Sequence, residues 1–131
     1  MTATIVVPAP ISGAGYNSPV RVIARGTLTG FVKNRIAPGQ RAVVKAQLDA
    51  WYQIVHPAKW RSSAELKAQL HSVSVLTAER VVFNIKGNDY RLVASINYGH
   101  QILFVKWLGT HREYDQIDAR EVEYDEGRYF G

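Results

Sequence analysis

Three short apolar runs, Val81–Ile85, Tyr90–Ile96 and Ile102–Leu108, follow one another with only a few residues between them. No other feature of the chain constrains its fold as tightly. In Arg80–Lys86 the residues Val81, Phe83 and Ile85 fall on one face and Val82, Asn84 and Lys86 on the other, the period of two that marks a strand. The next run sets Tyr90, Leu92, Ala94 and Ile96 against Arg91, Val93, Ser95 and Asn97, and the third sets Gln101, Leu103, Val105 and Trp107 against Ile102, Phe104, Lys106 and Leu108. Gly87-Asn88-Asp89 and Tyr98-Gly99-His100 are turn sequences, so the three runs form two successive hairpins, an antiparallel meander. Both sides of the third run are apolar, and the pattern leaves open which side meets the rest of the core.

Upstream the period is helical. Val44, Leu48, Trp51 and Val55 stand at i, i+4, i+7 and i+11, one stripe of a helix from about Gln40 to His56 that Pro57 ends. Before it, Val20–Ile23 reads as a short strand. Thr27 is the expected cap of a first helix towards Arg35, with Leu28, Phe31 and Val32 inward, Gly30 weakening it and Pro38-Gly39 ending it. After it, Ser62 and Glu65 have the spacing of a capping box for a third helix anchored by Leu66 and Leu70. The expected fold is α+β, a small antiparallel sheet with N-terminal helices packed on one face.

At 131 residues and 47% hydrophobic, the chain suits one domain with tails. The expected division is an extension at 1–19, a folded domain at 20–120 and an acidic tail at 121–131. Within the extension only Ile5-Val6-Val7 has the character of an edge strand. It carries no basic region followed by a long apolar stretch, and nothing downstream reaches transmembrane length, so neither a signal peptide nor a membrane partner is expected and the cytoplasm is the expected location. Cysteine is absent, which excludes disulfides and thiolate zinc sites. Four of the 11 acids and one of the 16 bases lie in residues 121–131, leaving 15 bases against 7 acids in the first 120. Such a body attracts phosphate backbones in a salt-dependent way. The acidic end is expected to be solvent-exposed, with folding over the basic surface as the alternative.

The third run leads into Gly109-Thr110-His111-Arg112-Glu113-Tyr114-Asp115, a poor core segment but a suitable exit from a sheet into a polynucleotide site. RNA can be cleaved without a metal. Its 2′-hydroxyl attacks the adjacent phosphate when one group removes its proton, another protonates the leaving 5′-oxygen, and cations stabilise the phosphorane. His111 is the candidate for proton transfer because histidine titrates near neutrality. Lys86, Arg91 and Lys106 sit on successive strands and could form a cationic bed, although lysines at strand ends also simply reach water. Tyr114 could stack on a base, orient the backbone, assist catalysis with help from neighbouring positive charges, or complete the core. Arg112 and His100 are further candidates for RNA contact. Glu113, Asp115 and Asp118 match no metal motif and are expected to hold bases or cap a turn, so no metal or other cofactor is expected. Trp107 is expected to pack.

These residues also carry a resemblance. Arg21–Arg25, Trp51-Tyr52, Trp60, Leu66-Lys67, the run Arg80–Val93 and above all Gly109–Asp118 resemble HigB toxins of the RelE/ParE-like superfamily, over about residues 20–120. The resemblance implies a RelE/ParE-like fold and a ribosome-dependent mRNA endonuclease that cuts without metal and stops translation. It also implies a HigA-type helix-turn-helix antitoxin as partner, the ribosome and mRNA as targets, and promoter DNA only through the antitoxin complex. The site it implies matches Lys86, Arg91 and Lys106, with His111 and Tyr114 beyond the last strand. Similar proteins begin near Val20, and they often carry a base where this chain has Gly99 and His100. A non-catalytic RNA- or protein-binding protein and a ParE-like gyrase inhibitor are the alternative readings.

Overall fold

A computed structural model describes residues 19–130, and the expected Ile5–Val7 edge strand lies outside them. In chain order the elements are β1 (Arg21–Ile23), α1 (Arg25–Arg35), a 3₁₀ turn at Pro38–Gln40, α2 (Arg41–Val55), α3 (Ser63–Gln69), β2 (Ser74–Val75), β3 (Arg80–Ile85), β4 (Tyr90–Asn97), β5 (Ile102–Thr110), α4 (His111–Tyr114) and α5 (Glu126–Phe130). The strands form one sheet in the order β1-β5-β4-β3-β2. The meander of β3, β4 and β5 is antiparallel as its alternation requires, and β2 extends it. The expectation of a purely antiparallel sheet needs correcting, because β1 runs parallel to β5. A three-residue edge strand carries no direction in its own pattern; the chain's route between β1 and the helices sets it. Nor are all helices N-terminal, since α4 and α5 follow the sheet.

The stripe on α2 behaves as its spacing predicts: Val44, Leu48, Trp51 and Val55 are all buried. They join Val81, Phe83 and Ile85 of β3 and Leu92, Ala94 and Ile96 of β4 in the main core, with Trp51 packed edge-on against Phe83 at 5.4 Å. Truncating such a leucine or valine to alanine costs roughly 2–5 kcal/mol. The start of α1 differs from expectation. The chain turns from β1 directly into the helix with Ala24 at the cap position, so Thr27 lies inside the first turn and is buried. At α3, Ser62 caps as expected, its hydroxyl accepting the Glu65 N–H at 3.3 Å. The Glu65 carboxylate instead receives the Arg61 N–H at 2.9 Å, so the box closes one residue early. Gln101, expected on a strand face, ends the β4–β5 turn in a left-handed conformation (φ 56°) and is buried, donating to the carbonyls of Trp60 (2.5 Å) and Tyr98 (2.6 Å).

The two-sided third run is resolved by a bulge. Val93 pairs with Trp107 and Ala94 with Val105, so Lys106 has no opposite number on β4. An extra residue on one strand breaks its alternation. Leu103, Val105 and Leu108 therefore serve the main core, while Trp107 crosses to the second face and packs with Val82, Val93 and Ala119. The expectation that Trp107 shares a face with Leu103 and Val105 is corrected by this one insertion.

The acids beyond 120, Glu121, Glu123, Asp125 and Glu126, are exposed, but the segment is anchored to the fold by apolar residues. Val122 joins the second-face cluster. The Tyr129 side chain is fully buried in the main core, and its hydroxyl accepts the Leu108 N–H at 2.8 Å. Arg128 donates to the Leu108 carbonyl at 3.1 Å. β1 pairs with β5 only as far as Phe104, so Tyr129 and Arg128 satisfy the strand edge that β1 leaves open. Gly30 belongs to the same contact: a Cβ there would stand 2.6 Å from the Phe130 ring. The glycine that weakens α1 is what lets α5 lie against it.

Candidate functional site

The β3–β4 turn and the end of β5 lie side by side, because Tyr90 pairs with Thr110 and Arg91 with Gly109. At this corner the chain gathers most of the candidate residues. Lys86 opens the turn in a left-handed conformation (φ 54°), uncommon for a residue with a side chain, and its ammonium bonds the Asp89 carboxylate at 2.7 Å. That bond holds the Lys86 pKa above its ordinary value and the Asp89 pKa below its own. The Asp89 carboxylate thus favours the charged form of Lys86 and fixes its position. Arg91 donates to the Asn88 carbonyl at 2.8 Å, and its guanidinium stands 5.8 Å from the Tyr114 ring centre.

α4 brings His111, Arg112 and Tyr114 to this corner. Thr110 and Glu113 form a complete capping box, Glu113 N–H to Thr110 Oγ1 at 3.1 Å and Thr110 N–H to Glu113 Oε1 at 2.9 Å. This helix was not anticipated from the sequence, although Thr110-His111-Arg112-Glu113 has the spacing of a capping box. Glu113 also binds Arg35 of α1 at 2.9 Å and Arg128 of α5 at 3.1 Å. Burial raises its carboxyl's pKa, but the Thr110 N–H and the two guanidiniums outweigh that and hold it below the ordinary value. Asp118 accepts the Arg120 N–H at 3.0 Å. Glu113 and Asp118 therefore do the holding and capping expected of them.

His111 is exposed, and its backbone N–H donates to the Asp89 carbonyl at 3.1 Å, which ties α4 to the Lys86 turn. Arg112 is exposed on the same turn of helix. Tyr114 is half-buried, its ring 6.2 Å from Trp107 and tilted by 55°. Trp107 is buried, as expected of a packing residue, with the Arg128 guanidinium 4.7 Å from its ring centre. Gly109 is required by that stack, since a Cβ there would come within 2.5 Å of both Trp107 and Arg128.

Two candidates stand apart from this corner. Lys106 is the bulge residue, and its ammonium bonds Glu123 at 2.9 Å. His100 lies in the β4–β5 turn, beyond the Asn97–Ile102 pair. That end of β4 is six residues from Arg91, roughly 20 Å at strand rise. The structure does not bring His100 to the other candidates. Sequence reasoning also missed Arg80, which is buried and donates to the carbonyls of Ala119 (3.1 Å) and Val122 (2.5 Å) and to the Glu123 carboxylate (2.9 Å). Its signal was an arginine opening the best strand of the chain, an expensive residue to bury without partners.

The corner thus offers two anchored cations, an exposed imidazole and an aromatic ring set on a packed tryptophan, the equipment to hold a phosphate, move a proton and stack a base. Residues 44–117, from α2 through α4, match the model of the HigB toxin family, described as the RelE-like toxic component of a toxin–antitoxin system. No curated protein matches the chain.

Proposed function

This chain belongs to the HigB toxin family, and from that premise we propose that it is an mRNA endonuclease that cuts ribosome-bound message without a metal and so halts translation. The observation that carries the reading is the meeting of the Lys86–Asp89 turn and α4, joined by the bond from His111 N–H to the Asp89 carbonyl. His111 moves the proton, removing it from the attacking 2′-hydroxyl or delivering it to the leaving 5′-oxygen. Lys86 and Arg91, held by Asp89 and the Asn88 carbonyl, offset charge that builds on the phosphorane, and preorganised donors stabilise such charge without reorganising. Tyr114 offers its ring to the adjoining base, and Arg112 adds an exposed cation for the flanking backbone. Lys106 contacts RNA further along the sheet.

A HigA-type helix-turn-helix antitoxin is the proposed partner, and promoter DNA is reached only through that complex. Among the described residues no helix is long and apolar enough to cross a membrane. Expression without an antitoxin tests the reading. Wild-type protein should stop incorporation of labelled amino acid, and His111→Ala, shown by circular dichroism to be folded, should not. Arrest by the folded variant would remove His111 from the chemistry. Arrest accompanied by loss of DNA supercoiling would point to gyrase instead.

A further inference from the structure

The carboxylate of Glu123 spans two cations. Oε1 lies 2.9 Å from Lys106 Nζ and Oε2 lies 2.9 Å from an Arg80 terminal nitrogen. Two positive groups converging on two oxygens of one anion is also how two non-bridging oxygens of a phosphodiester are held. We propose that Arg80 and Lys106 form a phosphate-binding subsite for RNA that the Glu123 carboxylate occupies in the free protein. The proposal rests on the nuclease reading for the identity of its ligand.

The three side chains are unequal in a way that suits exchange. The Arg80 side chain is only 11% exposed and the Lys106 side chain 24%. Arg80 is further fixed by the Ala119 and Val122 carbonyls. Charges so withdrawn from water are costly without an anion beside them. Glu123, by contrast, is 67% exposed and sits between Glu121 and Asp125 in a stretch without helix or strand. An exposed carboxylate contributes little by pairing and is readily displaced. The cations are the built part of the site, and the carboxylate is the removable part. Lys106 reaches the site because it is the bulge residue, and bulges re-aim side chains in this way. Lys106 also lines a pocket of 190 Å³ together with Ile23, Phe104, Val105 and Tyr124. An aromatic, apolar recess next to a phosphate site has the chemistry that stacks a base.

The test measures binding of a short single-stranded RNA with every 2′-hydroxyl methylated, which cannot be cut, to the full chain at low salt. Four proteins besides wild type are compared: Glu123→Gln, Glu121→Gln, Lys106→Met and the Glu123→Gln/Lys106→Met double variant. Glu123→Gln should bind roughly three- to fivefold tighter, the scale of an exposed ion pair. Glu121→Gln, which removes the same charge from the same segment, should gain clearly less. In the Lys106→Met background the Glu123→Gln gain should vanish. An equal gain from Glu121→Gln, a gain that survives without Lys106, or no RNA binding by wild type and Glu123→Gln alike would each overturn the subsite. Because nothing is cleaved in this measurement, a protein that shows the predicted pattern yet leaves translated mRNA uncut keeps the subsite and loses the nuclease reading.

Discussion

Glu113 holds more of the site in place than any other single residue. Its carboxylate accepts the Thr110 N–H and binds Arg35 and Arg128, fastening α4 to α1 and α5. Its pKa is held below the ordinary 4.5, so the folded state binds its proton less readily than the unfolded state. The stability this contributes is present above that ordinary value and is lost as pH falls through the lower folded value. Glu113→Gln should therefore melt below wild type at pH 7, and the gap should narrow on acidification below 4.5; a gap of constant width would show that the charge does not matter. The motif carrying Glu113 was overlooked, although Thr-x-x-Glu is a local rule that a sequence can show. Its two arginine partners were not legible, since Arg35 and Arg128 lie 78 and 15 residues away and no local pattern brings them together. Tyr114 takes the packing role expected of it, half-buried against Trp107, and the Arg91 guanidinium stands 5.8 Å from its ring centre.

At the scale of elements, α5 covers the stretch of β5 that β1 leaves unpaired. Tyr129 fills the main core and satisfies the Leu108 N–H, while Arg128 covers the Leu108 carbonyl. Tyr129→Ala should lower stability by about 3–5 kcal/mol in denaturant unfolding, as for other large buried aromatics. Tyr129→Phe should cost about 1–3 kcal/mol, because it leaves the N–H without its acceptor. If both variants unfold with wild type, α5 is not part of the core. The strands of the meander and the stripe of α2 were readable because each repeats a period along its own length. Short elements were less so: α5 shows five residues, Glu-Gly-Arg-Tyr-Phe, beside an acidic run, and the three residues of β1 showed a strand but not its parallel direction. The bulge at Lys106 was hidden for another reason. Both faces of β5 are apolar, so moving Trp107 to the second face leaves no sign in the pattern.

Across the whole molecule, the basic excess of the first 120 residues is partly neutralised from within. Glu123 of the acidic end meets Lys106 and Arg80, and among the first 120 residues themselves Asp89 meets Lys86. Charge along the sequence suggested a phosphate-seeking body but could not show which bases already had partners. If Lys86, Arg91 and Lys106 each contact one phosphate of single-stranded RNA, the logarithm of affinity should fall with the logarithm of salt concentration at a slope of about −2. A slope near zero would mean that these cations serve the fold alone.

The central claim is that the corner built by Lys86, Arg91, His111 and Tyr114 cuts message during translation. Primer extension on mRNA in a reconstituted translating system, with wild type and folded His111→Ala at equal concentration, tests it most directly. The account predicts new cleavage ends with wild type that disappear with the variant. Intact message under wild-type protein that still binds RNA or ribosomes, or identical cuts by both proteins, would contradict it.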